Sequence, residues 1–505
     1  MRFNLLQKRK NSVINHEGSK AYQMSPEMEL YSAVVTAALN DNFYEKAQDR
    51  LERMRKLIAQ NKPEYVAKLA AYTRREMHLR SMPLVLCVEL AKIAGGDSIV
   101  SSAVRKTIRR ADEITELLAY YQIANGRVDT KKLGKLSKQI QKGLGHAFNH
   151  FDEYQFAKYN REGEVSLKDA LFLVHPKPKD EMQQNLFNKI AQGQLDTPYT
   201  WETELSTLGQ QTFQSSETKE LAFRAKWEEL IDSGKLGYMA LLRNLRNIVN
   251  AQVSDAHVAL VAQRLQNAEE VKHSKQLPFR FLSAYRELQK VVSPCVPQIL
   301  AALEGAVQHS AEGIQGFDET TRVLLACDVS GSMQKAISPK STVQYFDIGL
   351  VLAMTLQTRC KRAVTGMFGD TWKIIQVPSN GILGNSMEYH RREGEVGYAT
   401  NGHLVIDDLL RSKTQMDRVM IFTDCQLWNN QGNNSNIEKS WRNYHRKFPD
   451  ARLYLFDLAG HGTTPIQIKE NNVFLIAGWS DKIFDVLQNL EKGSKLIETI
   501  HQYQL

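Results

Sequence analysis

Oxygen-bearing side chains follow an apolar run in the C-terminal third of the sequence at alternate positions. Asp328, Ser330 and Ser332 come directly after residues 323–327, which have the composition of a buried strand. In open α/β sheets, ligands bind at the carboxyl ends of the strands. Hard divalent cations prefer oxygen ligands, and one or two carboxylates with hydroxyls suit Mg²⁺ better than Zn²⁺. The spacing therefore predicts a divalent metal site, with Mg²⁺ as the expected ion and Mn²⁺ as the alternative.

Two later segments supply further oxygen ligands. Asp424 follows the apolar segment 418–423, and Thr400 lies in a polar turn that precedes a predicted helix. Because the carboxyl ends of parallel strands share one edge of a sheet, we expect Asp424 to lie beside Asp328. The serines of the first segment, taken alone, are also explained as helix N-caps. The presence of a second carboxylate, that of Asp424, favours the metal site over the N-cap explanation.

The elements that must position these residues are strands and helices in alternation. The predicted strands are 323–327, 363–368, 418–423, 452–458 and 472–478, and the predicted helices are 346–358, 404–411, 437–446 and 482–490. This order is typical of a parallel, doubly wound sheet covered by helices on both faces. We therefore predict an α/β domain over residues 321–505.

Residues 1–320 show the spacing of amphipathic helices nearly throughout. Apolar stripes such as Leu241, Leu245 and Ile248 recur in segments of about 12 to 18 residues. Glycine, proline and asparagine turn signals separate these segments. A long succession of helix pairs is typical of a HEAT-like α-solenoid, in which neighbouring helices bury each other's faces.

Basic residues are concentrated in one part of this helical region. Residues 101–150 contain 10 lysines and arginines and 4 aspartates and glutamates. Five lysines recur at spacings that would place them on one helical face: Lys131, Lys132, Lys135, Lys138 and Lys142. A concentrated positive surface attracts polyanions, so we predict that these lysines contact nucleic acid. The alternative is a basic face that contacts only solvent.

Composition and motifs exclude several classes of protein. The chain has 505 residues, of which 42% are hydrophobic, and no apolar run approaches the roughly 18–20 residues that span a bilayer. The N-terminus lacks the apolar core of a signal peptide. Five cysteines without a C-x-x-C pair favour a reducing compartment. We therefore expect a cytoplasmic protein with no membrane partner.

Common catalytic motifs are also missing from the sequence. It has no Walker A loop, no G-x-G-x-x-G, no H-E-x-x-H and no nucleophile elbow. Asp328 and Asp424 would in principle support metal-assisted hydrolysis, but two-metal nucleases generally gather more carboxylates. We therefore expect a protein that is not an enzyme and has no catalytic residues.

The arrangement of the α/β domain resembles the von Willebrand factor A domain and its metal-ion-dependent adhesion site (MIDAS). That site takes Asp-x-Ser-x-Ser from one loop, a threonine from a second and an aspartate from a third. The resemblance implies that the ligands here are Asp328, Ser330, Ser332, Thr400 and Asp424. The second loop departs from the family pattern, which often has Gly-Gly-Thr-Asp, because this chain has Asn401 after its threonine.

Three stretches of the helical region resemble the Ro autoantigen (TROVE) family, whose members join such a region to an A domain. They are MALLRNLRN at 239–247, LPFRF at 277–281, and the segments AKY, LKDAL and VHPKP within 157–178. The resemblance implies a ring of helical repeats closed by the A domain. It also implies that single-stranded 3′ ends of misfolded or incomplete RNAs enter the ring, while small noncoding Y RNAs bind its basic outer surface. Bacterial members are associated with exoribonucleases.

The same resemblance marks individual residues as RNA contacts. It implies that Lys158 and His175 bind RNA, although Glu162 replaces a basic residue of the family pattern. Arg243 and Arg246 lie in the first of the three stretches and are further candidates. Three functions stay open at this point: an RNA-binding scaffold, a metal-dependent protein-binding module and, least favoured, a metal-dependent nuclease.

Overall fold

The computed structural model describes residues 12–37, 47–126, 136–160, 163–339, 341–428, 436–468, 471–493 and 495–505. Within these ranges, no helix is both long enough and apolar enough to cross a bilayer. By internal packing, the chain divides into two units. One unit combines Met1–Glu52 with Ala262–Ser494, and the other combines Arg53–Val261 with Lys495–Leu505.

A short hairpin and a helix open the described chain. Strand β1 (Ser12–Ile14) pairs antiparallel with β2 (Lys20–Gln23), and helix α1 (Pro26–Val35) follows. Helix α1 begins where the Ser25 side chain accepts a hydrogen bond from the Met28 N–H, and a proline occupies its first turn. The sequence pattern did not predict the hairpin, because its two strands are only three and four residues long.

Helices then continue through the second unit, as the apolar spacing predicts. In chain order they are α2 (Ala47–Gln60), α3 (Pro63–Arg75), α4 (Ser81–Ile93), α5 (Ser98–Thr107), α6 (Asp112–Ala124), α7 (Lys138–Phe148), α8 (Glu153–Tyr159), α9 (Leu167–Val174), α10 (Glu181–Gln192), α11 (Trp201–Gly209), α12 (Ser216–Asp232), α13 (Tyr238–Asn250) and α14 (Asp255–Leu265). Leu241, Leu245 and Ile248 are buried along one side of α13, which confirms the stripe predicted there.

Helices of the second unit pack in two layers. Helix α3 packs against α5, and α5 packs against α7, so these three lie side by side. Helix α4 packs against α6, and α4 also contacts α3 and α5. Alternate helices in separate layers are the arrangement of a HEAT-like solenoid, so the predicted helical-repeat fold is confirmed.

The remaining elements form the α/β part of the first unit. They are α15 (Ala268–Ser274), α16 (Pro278–Gln289), α17 (Val296–Ala311), β3 (Arg322–Asp328), α18 (Tyr345–Gln357), β4 (Arg362–Phe368), β5 (Trp372–Ile374), α19 (Leu383–Arg392), α20 (His403–Arg411), β6 (Arg418–Thr423), α21 (Ile437–Lys447), β7 (Arg452–Asp457), β8 (Thr463–Thr464), β9 (Val473–Ala477) and α22 (Ile483–Glu491). Helix α23 (Leu496–His501) belongs to the second unit.

Six strands form one sheet in the order β5-β4-β3-β6-β7-β9. Every pair is parallel except β4–β5, which is antiparallel. The predicted doubly wound α/β domain is therefore confirmed, and its predicted strands match the observed ones to within a residue at most ends. Strand β5 was not predicted, because it has only three residues and follows directly after the turn from β4.

The last helices before the sheet pack on α18, the helix that follows its first strand. Helices α16 and α17 both contact α18, and Arg286 of α16 donates from Nη1 to Oδ2 of Asp347 at the start of α18, 2.6 Å away. Both side chains are buried. The switch from helices to alternating elements falls between α17 and β3, near the predicted position at residue 320. The compact unit that holds the sheet begins earlier, at Ala262.

Candidate functional site

The two predicted metal-binding carboxylates lie at the carboxyl ends of neighbouring strands. Asp328 is the last residue of β3, and Asp424 follows the last residue of β6, Thr423. Strands β3 and β6 are parallel neighbours, with Cys327 opposite Phe422. The structure therefore brings the first and third predicted segments to one edge of the sheet, as the strand pattern predicts.

Hydrogen bonds hold the Asp328 carboxylate and the serines after it. Its Oδ1 accepts from the Ser330 N–H at 2.9 Å, and its Oδ2 accepts from the Thr423 hydroxyl at 2.6 Å. The hydroxyl oxygens of Ser330 and Ser332 lie 3.3 Å apart. Neither Asp328 nor Ser330 is exposed to solvent. The predicted oxygen ligands are thus fixed in a buried cluster.

Asp424 carries the feature that points most directly to a cation. Its Oδ1 accepts from the Gln426 N–H at 3.0 Å, whereas its buried Oδ2 makes no hydrogen bond within the described part of the chain. Burial, the larger cause, and the negative charge of Asp328 together raise the pKa of Asp424 to about 7. Burial also raises the pKa of Asp328 to about 6. Two buried carboxylates that repel each other suit a divalent cation.

Thr400 lies in a loop that is bonded to the same edge. The Gly331 N–H donates to the Tyr398 carbonyl at 3.0 Å, which joins this loop to the Asp-x-Ser-x-Ser segment. The Thr400 hydroxyl oxygen accepts from the Trp428 N–H at 2.9 Å, and Thr400 is only 6% exposed. All three predicted loops therefore meet at this edge, and their residues fit a divalent cation.

A second candidate site is a cavity of about 480 Å³ in the helical unit. Its lining contains three arginines, one lysine and two histidines, and no carboxylate. The lining residues are Arg75, Arg105, Lys106, Ile108, Arg109, His146, Ala147, His150, Phe151 and Gln155. We call this cavity the basic pocket.

The layer of α3, α5 and α7 explains where the basic pocket forms. Arg75 ends α3, Lys106 lies in the last turn of α5, and His146 lies in the last turn of α7. Cations are favourable at helix C-termini, because the last carbonyl groups carry partial negative charge. The Arg75 Nε–H donates to the Lys106 carbonyl at 3.1 Å, which joins two of these helix ends.

Two histidines form one wall of the basic pocket. The rings of His146 and His150 lie 4.5 Å apart, and Nδ1 of His150 is 2.9 Å from the His146 carbonyl oxygen. Partial burial lowers the pKa of His146, and the positive charges of Arg105 and His150 lower it further. His146 is therefore mostly neutral at pH 7, and an anion in the pocket would favour its protonation.

Lys158 lies beside the basic pocket. It is exposed on α8, the helix that also carries Gln155 of the pocket lining, and residues three apart share a helix face. Its Nζ lies 5.6 Å from the ring centre of Tyr154 and 5.7 Å from that of Tyr159. The Arg110 guanidinium lies 4.3 Å from the Tyr159 ring. Aromatic rings and cations thus alternate along this surface.

The lysine face predicted over residues 131–142 is only partly described. Lys131, Lys132 and Lys135, like Glu162, lie outside the described residues. Lys138 and Lys142 are exposed on α7. Helix α7 begins at Lys138, so the described part of this lysine face consists of Lys138 and Lys142.

The other predicted RNA contacts are exposed but dispersed. His175 ends α9 in the left-handed conformation, at φ 48°, and the adjacent Val174 carbonyl accepts from the Gln141 side chain at 3.1 Å. Arg243 and Arg246 lie on the exposed side of α13, a helix that contributes no residue to the basic pocket lining. Because Lys158 lies beside the basic pocket, it is a stronger candidate for an RNA contact than Arg243 or Arg246.

Sequence reasoning missed the residues of the basic pocket itself. The only signals were the basic excess of residues 101–150 and the pairs Arg105-Lys106 and Arg109-Arg110 within it. Arg75 comes from a helix outside that window. Spacing along the chain gives no reason to group it with His146.

A helical-repeat region followed by an α/β domain whose sheet carries Asp328 and Asp424 at the ends of neighbouring strands defines the class of this protein. The chain belongs to the TROVE family: its sequence matches the TROVE domain over residues 4–204 and 191–297. Residues 322–491 match the Ro60 vWA domain. Membership in this family indicates an RNA-binding protein of ribonucleoprotein particles, and neither match is to a catalytic family.

Similar proteins include telomerase protein component 1 of Mus musculus, which is 27% identical over 313 residues. The rat protein of the same name is 26% identical over 313 residues. Each alignment covers 46% of this chain, and the chain spans only 11% of the length of either relative. The crystal structure of the Deinococcus radiodurans Ro (Rsr) protein is similar with a TM-score of 0.60 at 19% identity. That likeness covers 93% of this chain and all of the Deinococcus chain, so the two share a fold.

Proposed function

We propose that this protein is a non-catalytic RNA-binding scaffold that acts in RNA quality control, maturation or decay. Its ligands are small noncoding, Y-like RNAs and the single-stranded 3′ ends of misfolded or maturing RNAs. An exoribonuclease is the proposed protein partner. The family membership supports RNA as the ligand class, and the basic pocket is the observation that carries the proposal for this chain.

The lining of the basic pocket matches the chemistry of a sugar–phosphate backbone. Arginine presents a planar fork of donors that binds phosphate oxygens in pairs, and the pocket has Arg75, Arg105 and Arg109. The nearby tyrosines of α8 offer faces on which unpaired bases stack. No carboxylate in the lining opposes a phosphate. Lys158 and His175 are proposed to contact the structured part of a bound small RNA.

The proposal predicts that RNA binding depends strongly on salt. Each phosphate contacted on a single strand contributes about −0.7 to the slope of log K against log salt. Several basic contacts should therefore give a slope of roughly −3 or steeper in titrations with a labelled oligonucleotide. Purification should also recover the protein with a defined small RNA. A flat salt response would overturn the RNA-binding proposal and favour a protein ligand.

RNA affinity should also rise as the pH falls from about 7.5 to about 5.5. The pKa of His146 is lowered in the free protein, and a bound phosphate raises it, so binding takes up a proton. The affinity should change by about tenfold for each unit by which the phosphate raises this pKa. Replacing both pocket histidines, H146Q/H150Q, should flatten the profile, whereas H273Q, which changes an exposed histidine of the other unit, should not. A profile unchanged in the double variant would exclude these histidines from the site.

We also propose that the α/β domain binds Mg²⁺ or Mn²⁺ through Asp328, Ser330, Ser332, Thr400 and Asp424. When bound, the cation would supply positive charge and a coordination position for an acidic group of a partner. The buried Oδ2 of Asp424 supports this proposal. It also supports a second candidate function, that of a metal-dependent protein-binding scaffold.

A metal-dependent nuclease is the least favoured function. Such sites generally surround their ions with more carboxylates than Asp328 and Asp424 provide. In the described ranges, no three or more histidine, cysteine, aspartate or glutamate side chains are placed to hold one ion together.

A further inference from the structure

Basic residues in and around the basic pocket differ in whether a carboxylate neutralises them. Outside the lining, the Arg74 guanidinium lies 2.6 Å from the Glu113 carboxylate. Arg80 and Arg110 each lie 2.9 Å from the Asp112 carboxylate. The four permanent cations of the lining form no such pair with a carboxylate in the described ranges; they are Arg75, Arg105, Lys106 and Arg109. The local ion pairs therefore leave a surplus of positive charge at the pocket.

The acidic residues that follow the lining in sequence are bonded to other groups. Asp152 comes directly after Phe151, and its Oδ1 accepts from the Gln155 N–H at 2.7 Å at the start of α8. The Glu153 carboxylate lies 2.8 Å from Nζ of Lys189. Neither acidic residue belongs to the lining. Both carboxylates thus have local partners, and the positive charge of the lining is left for a ligand.

This positive charge is confined to a small volume. Four permanent cations and two histidines surround about 480 Å³. Internal phosphates of an RNA strand carry one negative charge each and are spread along the strand. A phosphate monoester at a chain end carries about −1.5 to −2 at pH 7, and further phosphates joined to it add charge at the same point. A chain end with several phosphates therefore matches the charge of the pocket better than internal phosphates do.

The size and the remaining lining of the pocket suit one terminal nucleotide. Pockets for small ligands generally measure about 300–1,000 Å³, and this one lies within that range. Ile108, Ala147 and Phe151 form the apolar part of the lining, and each is buried. A sugar or a base can pack against such a surface while the phosphates contact the cations. The volume does not hold a folded segment of RNA.

We propose that the basic pocket binds the 5′-triphosphate end of an RNA. The inference rests on the RNA-binding function proposed above and names the part of the RNA that enters the pocket. The guanidinium groups of Arg75, Arg105 and Arg109 bind phosphate oxygens, and Lys106 adds a fourth positive charge. Three phosphates on one end are found at the 5′ end of a transcript that has not been processed. The pocket therefore selects unprocessed RNA.

Titrations of the full chain with one single-stranded RNA sequence test this inference. The RNA is labelled at its 3′ end and carries a 5′-triphosphate, a 5′-monophosphate or a 5′-hydroxyl. The triphosphate should bind about a hundredfold more tightly than the hydroxyl, since each hydrogen bond between charged groups contributes about tenfold or more. Equal affinity for these two ends would overturn the inference and leave the RNA-binding function intact. If none of the three RNAs binds, the proposed function itself fails.

The variant R105Q/R109Q connects this preference with the pocket. It removes two of the four permanent charges and should reduce the preference for the triphosphate by about tenfold or more. The matched control is K219Q/K235Q, which removes two charges from exposed lysines of the same unit outside the lining and should keep the full preference. Thermal unfolding checks that both variants are folded. A full preference in R105Q/R109Q would place the triphosphate elsewhere and overturn the inference.

Inorganic triphosphate distinguishes an RNA end from a free polyphosphate. It offers the same charged groups without a nucleoside or a strand, so it should bind more weakly than the 5′-triphosphate RNA. Competition between the two measures this difference. If inorganic triphosphate binds as tightly as the RNA, the ligand is a free polyphosphate and the assignment to an RNA end is wrong.

Discussion

Replacing Asp328 by alanine should abolish the proposed binding of Mg²⁺ and Mn²⁺ while the protein stays folded. Asp328 ends a strand and supplies one of only two carboxylates in the proposed inner ligand set, so no neighbouring side chain replaces its charge. Its two hydrogen-bond donors, the Ser330 N–H and the Thr423 hydroxyl, lie at the strand end and not in the apolar core. Calorimetry measures the loss of binding, and circular dichroism checks the fold. Unchanged ion affinity would refute the assignment.

The pH dependence of the stability of the metal-free protein provides a second test of the same site. Burial raises the pKa of Asp328 to about 6 and that of Asp424 to about 7, above their values in the unfolded chain. The folded state therefore binds more protons than the unfolded state between about pH 4 and pH 7, so metal-free stability falls as the pH rises through this window. Asp424→Asn should raise the melting temperature of the metal-free protein at pH 8. It should also remove the stabilisation that Mg²⁺ gives the unaltered protein.

Reversing two charges in the basic pocket, R105E/R109E, should weaken RNA binding by at least about a hundredfold at physiological salt. Each hydrogen bond to a charged group contributes about 1.5–3 kcal/mol, and two are lost here. The new carboxylates also repel the phosphates. Both arginines are exposed, so the fold should survive. The measurement is a titration with a single-stranded oligonucleotide at fixed salt.

The matched control is K219E on α12, an exposed lysine of the same unit that does not line the basic pocket. It changes the net charge in the same direction but should alter affinity only slightly, because long-range attraction is screened beyond about 8 Å. Because R105E/R109E reverses two charges and K219E reverses one, equal losses of binding free energy per reversed charge would show that RNA responds to overall charge alone. The pocket would then have no special role.

Local sequence pattern predicted correctly that Asp328 and Asp424 lie at the ends of neighbouring strands, because each strand is encoded locally. An apolar run followed by a polar residue marks a buried strand and its carboxyl end, as at Cys327-Asp328 and Thr423-Asp424. Parallel pairing of the strands then brings these carboxyl ends to one edge of the sheet, so no long-range sequence signal is needed to predict their position. The helix α19 was missed because its sequence, LGNSMEYHRR, has few apolar residues to reveal a buried face.

The basic pocket was not predictable in the same way. Its lining comes from α3, α5, α7 and α8, and its formation depends on which helix ends the solenoid packing aligns. The N-terminal hairpin of β1 and β2 was missed for a related reason. Its position depends on contacts such as that between Asn15 and Leu427, which are 412 residues apart in sequence. Sequence periodicity indicates which face of a helix or strand is buried. It does not indicate which distant element packs against that face.

The separation of Asn15 from Leu427 has a consequence for biosynthesis. At about 5–20 residues per second, a ribosome needs about 20–80 s to make the 412 residues between them. Throughout that interval the hairpin has emerged, but the segment that anchors it does not yet exist. Helices α3 to α13 of the second unit are made in between and contact mainly their sequence neighbours, so they can fold while translation continues. A nascent chain would therefore acquire the proposed RNA-binding surface well before Asp424, a proposed cation ligand, has been made.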